Sequence, residues 1–269
     1  QYPLPVVIIS ALSEKVFDAM KAGAVDFVAK PQVTEREQLR NFLCSELPVK
    51  IKVASTARVS RYKKPVAFAA DQHLSVRSDI DIIAIGASTG GTEAIAEVIR
   101  NFSTDIPGTV IVQHMPPGFT EMYANRLDSQ SRVKVKEAKN GDMVAPGQVL
   151  IAPGGSEHMS IVKVGDNYKV VLKKGEKVNG HCPSVDVLFN SVADVAGAHA
   201  IGIILTGMGG DGAKGLLKMQ KNGARTIGQD EASCIVYGMP KVAYDLGAVM
   251  YQEKLSDIAK KTYTLLNQR

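Results

Sequence analysis

The segment Asp81–Gly91, with the sequence D-I-I-A-I-G-A-S-T-G-G, predicts a strand, a tight turn and the start of a helix. The apolar run Ile82–Ile85 is typical of a buried strand, and apolar residues then recur at helical spacing over residues 92–102. The turn between them contains Ser88 in the pattern G-x-S-x-G of a nucleophile elbow, a strand–turn–helix corner that presents a serine hydroxyl at the edge of a sheet.

The same turn is also compatible with an anion-binding role, because glycine-rich turns that precede helices commonly hold phosphate groups. The spacing of Gly86, Gly90 and Gly91 differs from the dinucleotide-binding fingerprint, and no G-K-[ST] sequence of a P-loop follows. The turn alone therefore leaves a nucleophile and an anion site open, and residues downstream have to distinguish them.

The composition is that of an ordinary soluble globular protein, with 269 residues, 45% hydrophobic and 22% charged. The net charge of +5 is scattered along the chain, so nucleic acid is not an expected partner. The cysteines Cys44, Cys182 and Cys234 form no C-x-x-C pair or ligand cluster, which fits a reducing cytoplasm. No metal or other cofactor is expected. No apolar run has membrane-spanning length, and the start at Gln1 suggests a fragment.

From Asp81 onward, apolar strands alternate with helices, which predicts an α/β fold with a doubly wound, mostly parallel sheet flanked by helices. Further strands are predicted at Thr109–Gln113, Val149–Ala152 and Ala200–Leu205. A β-hairpin is predicted from residues 159–164 and 168–173, joined by a Gly-Asp-Asn turn.

Three predicted strand ends carry Ser88, His114 and Asp211. A serine hydroxyl needs a base to become a nucleophile, and His114 ends the strand T-V-I-V-Q at the edge where α/β sheets bind ligands. Asp211, in L-T-G-M-G-G-D-G, is placed to orient that imidazole. Alone, His114 also fits a packed or capping histidine, and Asp211 a helix N-cap. The amides of Thr89 and Met208 are candidate oxyanion donors.

The other histidines are weaker candidates for the base. His158 follows a glycine turn and His181 lies in a loop, so both can border a cleft. His199 precedes a strand and is predicted to be structural, and His73 lies in a basic segment without helical periodicity.

The motifs I-G-A-S-T-G-G, Q-H-M-P-P-G-F-T, I-A-P-G-G-S-E-H-M, P-S-V-D-V-L-F, L-T-G-M-G-G-D-G and Y-G-M-P-K resemble the catalytic domain of the CheB family of chemotaxis protein-glutamate methylesterases, over residues 80–268. The resemblance implies that Ser88 is the nucleophile, His114 the general base and Asp211 its orienting partner. It further implies hydrolysis of γ-glutamyl methyl esters on the cytoplasmic helices of chemotaxis receptors, with possible deamidation of receptor glutamines. The alternative is a non-catalytic phosphate- or nucleotide-binding regulatory module.

Residues 1–50 resemble the last third of a response-regulator receiver domain, through I-I-S-A and G-A-V-D-F-V-A-K-P. The resemblance implies that Ser10 is a switch hydroxyl, that Lys30 contacts a phosphoryl group, and that an intact receiver would interact with a histidine kinase. Lys30-Pro31 also fits a plain strand end. The earlier strands, with the phosphate-accepting aspartate, are absent from this sequence, so this part is expected to fold poorly.

The expected order is therefore a receiver part over residues 1–50, a basic flexible linker over 51–79 and a catalytic domain over 80–269. In the first part, Ser13 and Thr34 are predicted helix N-caps, and the second helix is predicted to end at Pro48.

Overall fold

The computed structural model describes residues 4–11, 14–31, 36–57, 59 and 78–268. The chain divides into two compact units, residues 1–64 and residues 65–269. Of the sequence predictions, the caps Ser13 and Thr34 and most of the basic segment, including His73, lie outside the described residues.

The first unit contains a pair of parallel strands, β1 (Val7–Ser10) and β2 (Asp26–Ala29), joined by helix α1 (Lys15–Lys21). The ring of Phe17 packs edge-on against that of Phe27, with centroids 6.3 Å apart. The backbone N–H of Lys30 donates to the carbonyl of Ser10 at 2.6 Å, so the carboxyl ends of the two strands lie side by side.

Helix α2 (Arg36–Asn41), a π-helical turn (Phe42–Glu46) and helix α3 (Leu47–Ser55) follow without a break. The prediction that this helical segment ends at Pro48 was wrong. Pro48 stands in the first turn of α3, directly after the π-helical turn, where a missing N–H and the proline ring are tolerated. Lys50 of α3 forms an ion pair with Asp26 of β2, with 2.7 Å between Nζ and Oδ2.

The second unit is an α/β fold. Its strands are β3 (Ile82–Ala87), β4 (Gly108–Gln113), β5 (Lys134–Glu137), β6 (Met143–Val144), β7 (Gln148–Ile151), β8 (Glu157–Val164), β9 (Asn167–Lys174), β10 (Ala200–Ile204), β11 (Arg225–Gln229) and β12 (Tyr251–Glu253). Its helices are α4 (Gly91–Arg100), α5 (Phe119–Asp128), α6 (Val185–Ala196), a short 3-10 turn (Gly197–His199), α7 (Ala213–Lys221), α8 (Met239–Asp245) and α9 (Leu255–Leu266).

Among the described residues, seven strands form a parallel sheet in the order β12-β11-β10-β3-β4-β7-β5. This confirms the predicted parallel sheet flanked by helices. Successive side chains of a strand alternate between the two faces. Ile82 and Ala84 belong to a buried cluster with Leu188 and Phe189 of α6, whereas Ile83 and Ile85 are buried on the opposite face.

The predicted hairpin is confirmed as β8 and β9, which pair antiparallel and continue in a small sheet with β6. Strand β8 packs on α6, where the backbone N–H of Ile161 donates to Ser191 Oγ at 2.9 Å. Strands β5 and β6 were not predicted. The sequence of β5, K-V-K-E, has a single apolar residue, as befits a strand at the edge of a sheet.

The first strand of the second unit, β3, lies at the centre of the large sheet. Strands β4, β7 and β5 lie on one side of it, and the later strands β10, β11 and β12 lie on the other side. The carboxyl ends of β3 and β10 therefore flank the topological switch point, where open α/β sheets bind their ligands. The backbone N–H of Ser88 donates to the carbonyl of Thr206 at 3.0 Å across this point. Within the described part of the chain, no helix has the length and apolar character needed to cross a membrane.

The end of β3 is closely covered by α6 at Gly86. A Cβ on Gly86 would lie 2.2 Å from Val185 Cγ1 and 3.2 Å from Phe189 Cζ. We expect Gly86→Ala to lower the free energy of unfolding by about 1–3 kcal/mol, because the added carbon overpacks the core. Urea denaturation measures this cost. In a Val185→Ala background the cost should fall, and an equal cost in both backgrounds would contradict this account.

Candidate active site

The ends of β3, β4 and β10 bring the predicted site residues to one edge of the sheet. Ser88 directly follows β3 and is 7% exposed. The backbone N–H of His114, the first residue after β4, donates to the carbonyl of Ala87 at 3.2 Å. A Cβ on Gly207, in the loop after β10, would lie 2.8 Å from Ser88 Cβ. Ser88 is thus bordered by His114 on one side and by the β10 loop on the other.

The turn after Ser88 requires glycine for steric reasons. Gly90 has a φ of 78°, a left-handed conformation that L side chains rarely adopt. A Cβ on Gly91 would lie 2.1 Å from Gln113 Oε1. The backbone N–H of Gly91 donates to the Ser88 carbonyl at 2.7 Å, which closes the turn at the start of α4. The positive end of the α4 dipole therefore lies beside Ser88.

Gln113 also ties the serine turn to the histidine. Its Nε2 donates to the Ser88 carbonyl at 3.0 Å and to the His114 carbonyl at 3.3 Å. The side chain is buried, so these bonds fix the backbone on both sides of the site. The sequence analysis did not identify Gln113, because a glutamine at a strand end carries no motif of its own.

The structure brings His114 and Asp211 into direct contact. His114 Nε2 lies 2.8 Å from Asp211 Oδ2, and both side chains are almost fully buried. Among the described residues, the Asp211 carboxylate accepts hydrogen bonds from His114 Nε2 at 2.8 Å, Asn179 Nδ2 at 2.9 Å, Ser184 Oγ at 2.7 Å, Val185 N at 2.7 Å and Asp186 N at 3.2 Å.

These donors determine the charge of Asp211. Burial alone would raise the pKa of the carboxyl, but the hydrogen bonds from His114, Asn179 and Ser184 outweigh it and hold the pKa well below its usual range. Asp211 is therefore ionised at neutral pH. An ionised carboxylate accepts hydrogen bonds and donates none, so His114 Nε2 must carry the proton of the bond between them.

The opposite ring nitrogen of His114 is the one free to accept a proton. In a neutral imidazole with Nε2 protonated, Nδ1 carries the lone pair. His114 Nδ1 is buried and has no hydrogen-bond partner in the described part of the chain. In the serine-protease triad the carboxylate faces Nδ1, and Nε2 accepts the proton. The roles of the two ring nitrogens are therefore exchanged in this protein.

The remaining described histidines have different surroundings. The ring of His181 stacks on that of His114, with centroids 3.7 Å apart and planes at 9°. His158 is buried: its Nε2 donates to the Glu176 carbonyl at 2.8 Å and its Nδ1 accepts from Ser184 N at 3.1 Å. His199 is exposed at the start of β10, with Nδ1 2.6 Å from the Asp79 carbonyl oxygen.

Three residues around Asp211 were not predicted as part of the site. Ser184 is the N-cap of α6 and donates to Asp211, and its position after a proline and before an apolar run is a helix-start signal. Asn179 and Asp186 carry no comparable signal. The pKa of Asp186 is raised, chiefly by burial and further by the charge of Asp211, although Gly215 N donates to it.

The candidate oxyanion donors belong to residues that directly follow Ser88 and Gly207 in the chain. Thr89 follows Ser88 and is buried, and its carbonyl accepts from Thr206 Oγ1 at 3.0 Å. Met208 follows Gly207, which borders the serine, and its side chain is 46% exposed. In the part of the chain that the structure describes, no group of three His, Cys, Asp or Glu side chains is arranged to hold a metal ion.

Comparison with known proteins identifies the family. The CheB methylesterase family profile matches residues 83–262. The chain is 61% identical to a protein-glutamate methylesterase/protein-glutamine glutaminase 2 of Syntrophomonas wolfei, with alignment over 100% of this chain and 78% of that protein. It is 49% identical to a protein-glutamate methylesterase/protein-glutamine glutaminase of Syntrophotalea carbinolica, over 100% of this chain and 78% of that one.

A solved structure agrees. The crystal structure of the Thermotoga maritima CheB methylesterase catalytic domain matches with a TM-score of 0.67 and 39% identity, over 69% of this chain and 98% of that one. The fold and these relatives define a carboxylic ester hydrolase. The chain belongs to the CheB methylesterase family.

The tautomer of His114 can be tested by ¹⁵N NMR. We expect neutral His114 to show a protonated Nε2 and an unprotonated Nδ1, because the ionised Asp211 carboxylate faces Nε2. His158 serves as an internal reference, since its Nε2 faces a carbonyl oxygen and must also be protonated. A protonated Nδ1 on neutral His114 would contradict the assignment.

The charge of Asp211 should also be visible in stability. Asp211→Asn places an N–H₂ group against donors, and we expect it to lower the free energy of unfolding by about 3 kcal/mol at pH 7. The folded pKa of Asp211 lies below the unfolded value of ~3.9. The difference in unfolding free energy between wild type and Asp211→Asn should therefore have its full size at pH values above ~3.9, and it should shrink as the pH falls below that value.

Urea denaturation from pH 7 to pH 3 measures this effect. Asp194→Asn is the matched control, since Asp194 forms an exposed ion pair with Lys218 at 2.7 Å. A difference between wild type and Asp211→Asn that stayed constant over this range would mean that the folded carboxyl does not titrate as described.

Proposed function

We propose that this chain is a serine esterase that removes methyl groups from γ-glutamyl methyl esters of methyl-accepting chemotaxis receptors and releases methanol. The observation that carries the proposal is the buried pair in which ionised Asp211 orients His114 and leaves its Nδ1 without a hydrogen-bond partner among the described residues. The substrate class rests on the relatives named protein-glutamate methylesterase/protein-glutamine glutaminase.

In the proposed mechanism, Ser88 Oγ attacks the ester carbonyl carbon while His114 Nδ1 takes the hydroxyl proton. The negative charge of Asp211 stabilises the imidazolium that forms. The amides of Thr89 and Met208 donate to the developing oxyanion. The imidazolium then returns its proton to the leaving oxygen, and methanol departs from the acyl-enzyme.

Hydrolysis of the acyl-enzyme repeats these steps with water. His114 removes a proton from the water, the hydroxyl oxygen bonds to the acyl carbon, and Ser88 leaves with the returned proton. The product is a free glutamate side chain. Deamidation of a receptor glutamine follows the same path with ammonia as the leaving group, so we propose it as a second activity of the same site.

A phosphate- or nucleotide-binding role for the glycine turns is disfavoured by charge. The buried carboxylates of Asp211 and Asp186 lie beside the site, with Asn179 Nδ2 within 2.9 Å of the first and 2.7 Å of the second. Fixed negative charge of this kind repels an incoming phosphate, whereas it favours an imidazolium during acyl transfer.

We further infer that residues 1–50 are part of a receiver domain, joined by a linker to a catalytic domain that begins near residue 80. The adjacent strand ends at Ser10 and Lys30 support this inference, because both side chains would then border one phosphoryl site. Helix α3 reaches Ser55, so the linker begins after it. If this inference holds, the protein acts in the cytoplasm, and an intact receiver domain interacts with a histidine kinase.

The proposed triad predicts a strongly non-additive loss of activity. Ser88→Ala and His114→Ala should each lower turnover by about 10³-fold or more, and the double variant should be scarcely worse, because the residues act as a unit. The measurement is the release of labelled methanol from receptor membranes that carry labelled methyl esters. Ammonia release from unmodified receptors tests deamidation in the same variants.

His199→Ala is the matched control, because this histidine is exposed and forms its contact at the opposite end of β10. It should keep wild-type turnover. Near-normal methanol release by Ser88→Ala would disprove the serine esterase mechanism. Retained activity in His114→Ala, together with its loss in His158→Ala, would show that the base is assigned to the wrong histidine.

A further inference from the structure

A two-residue β-turn lies against the buried pair of the candidate active site. Val178 and His181 exchange backbone hydrogen bonds of 3.0 Å in both directions. Between them, Asn179 has a φ of 52° and Gly180 a φ of 83°. Positive φ at both central positions characterises a type I′ turn, for which Asn-Gly is the favoured pair.

The side chain of Asn179 points inward from this turn to two carboxylates. Its Nδ2 lies 2.9 Å from Asp211 Oδ1 and 2.7 Å from Asp186 Oδ2. Both partners are acceptors, so the amide nitrogen rather than the amide oxygen must face them. The two N–H bonds of one amide are therefore divided between two different aspartates.

These two carboxylates need such a donor. Asp211 is 1% exposed and Asp186 is 4% exposed, and two negative charges that share a buried site repel each other. Burial, and to a smaller extent the charge of Asp211, raises the pKa of Asp186. An N–H₂ group between the carboxylates offsets this repulsion and fixes the rotation of Asp211 toward His114.

The same turn contacts the other member of the pair. His181, at the end of the turn, stacks on His114 at 3.7 Å between ring centroids. The turn thus contacts Asp211 through Asn179 and His114 through His181, from one short segment of backbone. We propose that Asn179 is a positioning residue of the esterase, which holds Asp211 ionised and oriented and so acts on His114 through it. The inference rests on the proposed function.

A purely conformational role for Asn179 makes different predictions. A type I′ turn needs residues that tolerate positive φ, and glycine or aspartate satisfies that need as well as asparagine. Holding two carboxylates needs side-chain N–H donors. Glycine has no side chain to supply them, and an ionised aspartate would add a third negative charge instead. Asn179→Gly and Asn179→Asp therefore preserve the turn and remove the proposed function of the side chain.

The experiment measures kcat and KM for methanol release from methylated receptor membranes. We expect Asn179→Gly to lower kcat by about tenfold and Asn179→Asp by about a hundredfold, since hydrogen bonds to charged groups are among the stronger ones. KM should stay within about twofold, because both N–H bonds of the amide are taken by the two aspartates and are not free to bind substrate.

The pH dependence of the two variants distinguishes the effect of an added negative charge from the effect of losing the amide side chain. The introduced carboxyl would lie between two others, which raises its pKa, and its protonation restores an O–H donor. The rate of Asn179→Asp relative to wild type should therefore rise as pH falls from 8 to 6, while that of Asn179→Gly should stay constant. The other charged or titratable side chains around Asn179 are Asp211, Asp186 and His114, with His181 in the turn and Lys177 just before it. They are the same in both variants, so the two variants are compared with each other.

A second-site change provides an independent test of the charge. Asp186→Asn replaces one of the three carboxylates in the Asn179→Asp background and supplies an N–H₂ group to the introduced carboxylate. We expect this double variant to recover part of the lost kcat. Asn167→Gly is the matched control, because Asn167 is exposed at the start of β9 in another hairpin, and it should behave as wild type.

Urea denaturation of each variant shows whether the turn itself has been preserved, and activity is compared at equal folded protein. Wild-type kcat in both Asn179→Gly and Asn179→Asp, with Ser88→Ala inactive, would overturn the inference and leave Asn179 as a turn residue only. Equal losses in both variants with no difference in pH dependence would overturn it as well. Activity in Ser88→Ala would instead overturn the proposed function itself.

Discussion

The second unit depends on keeping one buried carboxylate charged. An ionised carboxylate in a protein interior costs several kcal/mol unless hydrogen-bond donors replace its water. Asp211 receives its donors from the end of β4, from the turn at Asn179 and from the first turn of α6. The amides of Val185 and Asp186 would otherwise be unsatisfied at a helix start, so the same bonds cap α6. The site and the packing of α6 are therefore stabilised by a single set of contacts.

The sequence was sufficient to predict the features that depend on local pattern. The apolar runs predicted β3, β4, β7 and β10, and their ends placed Ser88, His114 and Asp211 at one edge, because parallel strands align their carboxyl ends. The helix signals near Ser184 were also readable. The strand β5 was missed because a short edge strand needs little apolar sequence, and Pro48 was misjudged because a π-helical turn precedes it.

Other features depend on contacts that no local pattern contains. Asn179 donates a hydrogen bond to Asp211, which lies 32 positions later in the sequence. The Asn-Gly pair itself predicts only a turn. The ring nitrogen of His114 that faces Asp211 follows from the direction in which the side chain leaves β4, which spacing does not reveal. Gln113 likewise acquires its role only because β3 and β4 are neighbours in the sheet.

The position of the switch point has a consequence for biosynthesis. His114 and Asp211 are separated by 97 positions, and the strand that precedes Asp211 joins the sheet beside β3. A chain that has docked only β3, β4 and β7 presents the serine turn and the imidazole but no carboxylate to orient it. We expect such an intermediate to have little esterase activity, so a gain of activity would report that the last third of the domain has been added to the sheet.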